Sequence, residues 1–98
     1  MNDTRPTERI LKIARSFPCL ERKLRHWHPP VFDPDKFFEM TSGWSHGELL
    51  CAAFVLVVWN PINAHEKGWT FDVAEFAGTA TYENRQALMA WLMDPAWP

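Results

Sequence analysis

The sequence predicts an all-α fold, a compact bundle of four to six short helices around a central buried helix at about residues 45–59. Three observations predict it. Apolar residues recur at spacings of three and four, helix-start signals precede several apolar segments, and the longest apolar run, residues 49–59, follows a capping box and is apolar on all sides. Ninety-eight residues supply one core and not two, so a single helical domain over residues 1–98 is expected.

Taking the elements in order, residues 6–17 read as an amphipathic helix. Ile10, Leu11, Ile13, Ala14 and Phe17 lie on one side, and Arg9, Lys12 and Arg15 lie on the other. Pro6 suits a first turn, where its missing N–H costs nothing, and Pro18 stops the helix. A second short helix over residues 20–27 brings Leu20, Leu24 and Trp27 together before Pro29-Pro30. Asp33-Pro34 is a helix start, with the Asp33 carboxylate accepting from free backbone N–H groups and Phe32 and Phe37 closing over it as a hydrophobic staple. Gly43 ends that segment.

Ser45-His46-Gly47-Glu48 is the strongest local signal: a capping box in which hydroxyl and carboxylate satisfy each other's backbone donors. The competing reading, a buried strand over residues 54–59 favoured by their β-branched and aromatic side chains, is set aside on that ground. Asn60-Pro61 terminates the helix, and residues 62–68 read as a polar turn. Thr70 is expected to cap a short helix over residues 71–77, closed by Gly78 in a left-handed turn. The last helix runs from after Thr81 to Met93, with Leu88, Trp91 and Leu92 as its apolar stripe, and Asp94-Pro95 ends it.

Composition narrows the classes of function. An apolar share of 47%, a charged share of 22% and a net charge of -2 exclude a disordered chain. The first eight residues carry Asp3 and Glu8 and no apolar core, and the longest apolar run has 11 residues where a bilayer span takes about 20, so a soluble, cytoplasmic protein without a membrane partner is expected. Cys19 and Cys51 have no metal-type spacing, and reduced thiols are the reading with a disulfide as the alternative. His26, His28, His46 and His65 lack the spacings of a zinc hydrolase. Ser45, His46, Glu48 and Asp72 could supply a nucleophile, a base and a carboxylate, but no motif arranges them, and no glycine loop or dinucleotide fingerprint is present. No cofactor and no metal are therefore expected.

Two features remain. Six Trp, seven Phe and one Tyr are more large rings than so small a domain can surround, so some should meet a partner. Trp27, Trp69 and Trp97 are the expected contact residues, with two alternatives open for Trp97: folding back over the core or projecting from the tail. The first 28 residues hold seven basic and three acidic residues, the remaining 70 three and nine, which makes Lys12, Arg15 and Arg22 a second candidate surface. By elimination, the expected function is a non-catalytic protein–protein interaction module or small homo-oligomer. The alternative is a nucleic-acid binder, using the basic N-terminal helix and a helix-turn-helix-like segment at residues 71–92 that points Glu83, Asn84, Arg85 and Gln86 at base edges. Against it stand polar Asn84 where such a helix needs an apolar anchor, and four acids against one base from residue 69 onward.

Overall fold

The residue before a proline is pushed out of the helical region, and proline itself suits the first helical position, so an X-Pro pair both breaks a chain direction and starts a new helix. In the computed structural model, which describes residues 3–98, three helices begin this way. Phe17, Asp33 and Asn60 are extended, with φ/ψ of -85/118°, -112/106° and -159/97°, and the proline after each opens a helix. Among the described residues there are seven helices and no strand: α1 (Arg5–Arg15), α2 (Pro18–Lys23), α3 (Pro34–Met40), α4 (His46–Trp59), α5 (Pro61–Glu66), α6 (Val73–Thr79) and α7 (Tyr82–Met93).

The centre is α4, where the sequence placed it. Glu48 N–H donates to Ser45 Oγ at 3.3 Å and Ser45 N–H donates to Glu48 Oε1 at 2.9 Å, so the predicted capping box is formed on both sides. Leu50, Cys51, Ala52, Phe54, Val55, Leu56 and Val58 are buried, about two thirds of the way round the helix, and Ala53 and Val57 on the remaining side are half-buried. Helices α1, α2, α5 and α6 pack directly on it. Two aromatic clusters form along it. Phe54 meets Phe17, Phe71 and Trp91 at ring distances of 5.5, 5.3 and 5.0 Å, and Trp59 meets Phe32 at 4.7 Å, with Phe37 and Trp27 behind. The tilted and edge-on arrangements are those that the ring quadrupoles favour.

Several boundaries differ from the sequence reading. Helix α2 stops at Lys23 instead of running to residue 27, because Arg15 on α1 collects the carbonyls that end it: its Nη2 donates to Leu24 O at 3.3 Å and to Trp27 O at 2.6 Å. Residues 61–66 form α5 where a turn was expected. Asn60 does two things there, ending α4 and accepting from Asn63 N–H at 3.0 Å as the cap of α5. Helix α6 is capped by Asp72, whose Oδ1 accepts from Glu75 N–H at 2.9 Å, and not by Thr70. Gly78 is helical inside α6, whereas the left-handed glycines are Gly43 and Gly68, at φ 82° and 75°. Leu92 lies outside the apolar stripe assigned to it and is exposed.

The cap of α4 should be measurable. Replacing Ser45 with Ala is expected to cost about 1 kcal/mol in urea unfolding, since it leaves the Glu48 N–H without its partner. The Ser45 N–H bound to the Glu48 carboxylate holds that group below the ordinary glutamate value against the opposing effect of burial, with Lys23 and Arg22 adding to the lowering. A depressed folded value means that this stabilisation is complete above the unfolded glutamate pKa and is lost as pH falls through the folded one. Urea midpoints of Glu48→Gln should therefore fall less steeply than those of the wild type over that acid window, and parallel curves would refute the assignment.

Candidate interaction surface

The residues singled out in the sequence end in different surroundings. Trp27 is half-buried, stacked on Phe37 at 6.0 Å and edge-on to Phe32 at 5.9 Å. Trp69 is 9% exposed and stacks on Phe38 at 5.2 Å. Trp97 is 60% exposed, yet it is not loose: it sits edge-on to Trp91 at 5.0 Å, and Trp91 Nε1–H donates to Ala96 O at 2.8 Å. The tail thus folds back on α7 while keeping an indole in solvent. Of the three basic residues, Lys12 and Arg22 are exposed, and Arg15 is turned inward to the backbone carbonyls that close α2. Other cations of this region are held by the chain's own acids, Arg25 by Glu21 at 3.0 Å and Lys23 near Glu48 at 3.8 Å.

An exposed apolar feature that sequence reasoning missed is the outer side of α7. Tyr82, Met89 and Met93 are 61, 61 and 81% exposed, and Leu92 is 57% exposed. At about 100° per residue, Tyr82, Met89 and Met93 fall in one stripe about 40° wide, and Leu92 flanks it. Leu88, Asn84 and Trp91 lie on the other side, where the helix meets the protein. Gln86 lies in the same stripe and donates through Nε2 to the Tyr82 hydroxyl at 2.9 Å, so its polar end is engaged. Trp97 rests on Trp91, on the other side of α7 from this stripe, and is a separate exposed ring. The signal in the sequence was a second apolar periodicity, 82, 89 and 93, beside the 84, 88 and 91 positions that face inward.

The helix-turn-helix reading is corrected at one residue. Asn84 is 5% exposed, and its Oδ1 accepts from Cys19 N–H at 3.4 Å, so it joins α7 to α2 and does not face outward toward a base. Arg85 Nη1 donates back to Ala77 O at 3.2 Å. Beside Asn84 lie Cys19 and Cys51, both free and buried. Contact with the Cys19 thiol and burial push the Cys51 thiol upward, which keeps it protonated and makes it a small hydrophobe in the core.

A cleft of about 750 Å³ opens between the ends of α3 and α5 and the first half of α4. Phe38, Leu50, Ala53, Leu56 and Trp69 line it, and His46 and Glu75 stand at its edge. His46 Nε2 and Glu75 Oε1 are 2.6 Å apart, linking the first turns of α4 and α6. The other groups that could have made a nucleophilic centre are spent on caps: Ser45 and Glu48 on α4, and Asp72 on α6. Among the described residues, no group of three or more His, Cys, Asp and Glu is placed to hold a metal ion, and no helix is long and apolar enough to cross a membrane. In comparisons with known proteins, the chain matches no family model, no curated protein and no solved structure.

The two roles open to Asn84 predict different outcomes. As a buried link between α7 and α2, its replacement by Ala leaves the Cys19 N–H without its partner and should cost roughly 1–3 kcal/mol in chemical unfolding. An unchanged unfolding midpoint would remove Asn84 from that structural role.

Proposed function

We propose that this chain is a non-catalytic protein–protein interaction module whose contact surface is the outer side of α7, with Trp97 a separate exposed ring beside Trp91. The observation that carries the reading is that α7 presents large apolar side chains on the side opposite to the one it buries, with Tyr82, Met89 and Met93 each more than half exposed and Leu92 exposed at the flank. Leaving such a patch in water forgoes about 25 cal/mol for every Å² that could be covered, and exposed apolar patches of several hundred Å² commonly mark interaction sites. Tyr82, at the start of the stripe, is an aromatic anchor of the kind that dominates binding energy. Lys12 and Arg22 provide a second, charged surface on the N-terminal helices.

The same geometry disfavours the nucleic-acid reading. Asn84 is occupied inside, Arg85 donates to the Ala77 carbonyl, and Tyr82, Met89 and Met93 take outward positions, whereas a base-reading helix needs outward polar side chains in a basic setting.

The test is chemical cross-linking in native lysate of the wild type and of the double variant Met89→Glu/Met93→Glu. Both side chains point to solvent, so the circular-dichroism spectrum and thermal midpoint should stay close to wild type. Cross-linked products should fall by about tenfold or more, the effect of losing a contact worth ~2 kcal/mol. The same products at the same yield would overturn the proposal.

A further inference from the structure

We infer that the cleft between α3, α5 and α4 binds a small organic cation, an ammonium group carried on an aromatic body. The cleft shares no residue with the outer side of α7, so this is a second site, separate from the proposed contact surface.

The apolar body is called for by the floor. Leu49, Ala53 and Leu56 recur at spacings of four and three, which sets them on one stripe of α4, and all three line the cleft. Leu56 is buried, Leu49 is exposed, and Ala53 between them is half-buried and contributes only a methyl group, so the coat of helices around α4 is open here. Phe38 and Trp69, stacked at a ring distance of 5.2 Å, add aromatic surface to the lining. A volume of about 750 Å³ lies within the span of roughly 300–1,000 Å³ found for small-molecule sites, which are mostly apolar with a few polar groups that fix orientation. A flat ring laid on the Ala53 floor beside Trp69 would cover apolar surface that the chain leaves open.

The ammonium group is called for by the edge. Glu39 and Glu75 both line the cleft. Among the described residues no cation pairs with Glu39, and Glu75 gives one oxygen to His46 at 2.6 Å and has a second. Lys67, the other cation of the lining, is held by Asp35 at 3.3 Å. Acids thus outnumber bases three to two here even when His46 carries a proton. An anion finds no equal holder. The first turns of α4 and α6 reach the same edge, but Ser45 Oγ already takes the Glu48 N–H and Asp72 Oδ1 the Glu75 N–H. The half-exposed Phe38 ring adds a π face, which attracts an ammonium ion and not a carboxylate.

NMR titration of the full chain reads the site through the backbone amides of Gly43, Ala53 and Gly68, which line it. Phenethylamine, raised through the millimolar range, should shift these amides to saturation. The compound 3-phenylpropanoate, which carries a carboxylate on the same ring and two-carbon chain, should bind about tenfold more weakly. Glu39→Gln should weaken phenethylamine binding about threefold, and Glu39→Gln/Glu75→Gln should abolish the preference for the amine. Ala53→Leu, which fills the floor, should remove the response to both compounds while the circular-dichroism spectrum stays that of the wild type.

Equal binding of the two compounds by the wild type, or no saturable shift with phenethylamine, would overturn the inference. So would a response that survives Ala53→Leu. Saturation by a lysine-containing peptide and not by phenethylamine would put a protein segment in the cleft and overturn the small-molecule assignment. Met89→Glu/Met93→Glu should leave the titration unchanged, so failure of the α7 contact surface and failure of this site are separate results.

Discussion

A helix with no polar side is tolerable in water only when other chain covers it all round, and this requirement on α4 organises the molecule. Its interior residues from Leu50 to Val58 are nearly all buried, and four helices share the task of covering them. A 98-residue chain has few residues to spend on that coat, so it turns often. The X-Pro junctions at Phe17, Asp33 and Asn60 provide the turns at little cost, because each proline takes the one helical position where its missing N–H is harmless. Polar groups follow the same economy: among the described residues, no fully buried side-chain N or O is left without a hydrogen-bond partner.

Helix α7 stands partly outside this arrangement. Its main packing is on α2, with Trp91 reaching Phe54 edge-on and Asn84 tied to the Cys19 amide. Attachment along one narrow line leaves most of the helix circumference in solvent. On a helix so placed, Lys and Glu would be the ordinary outer residues, but Tyr82, Met89, Leu92 and Met93 share those positions with Glu83, Arg85 and Gln86. The core is already closed without them.

How much of this was legible in the sequence depended on the range of the interactions. The start of α4 was readable because Ser45 and Glu48 act within one helical turn, and the same holds for Asp33 and Thr81 as caps of α3 and α7. The end of α2 was not, because it is set by Arg15 reaching across from α1, nine residues before Leu24. Helix α5 was missed for a different reason: Asn60-Pro61 was taken only as a stop, although the same pair type at Asp33-Pro34 was taken as a start. In α6, Thr70 and Asp72 are both competent caps, and the choice of Asp72 leaves Phe71 free to pack against Phe54 and Phe76. Tertiary packing decided what local chemistry left open.

The aromatic surplus illustrates the limit of composition. Counting rings against the size of the domain implied several indoles at a contact surface, yet Trp27, Trp44, Trp59, Trp69 and Trp91 are all buried or half-buried, and Trp97 is the single exposed one. Ring-on-ring stacking accounts for the difference, since Trp27 on Phe37 and Phe38 on Trp69 cover one another and need less protein around them. What reaches the surface of α7 is instead largely methionine and leucine. Methionine is flexible and polarisable, so the exposed Met89 and Met93 side chains sample many shapes, whereas the Tyr82 ring beside them is rigid.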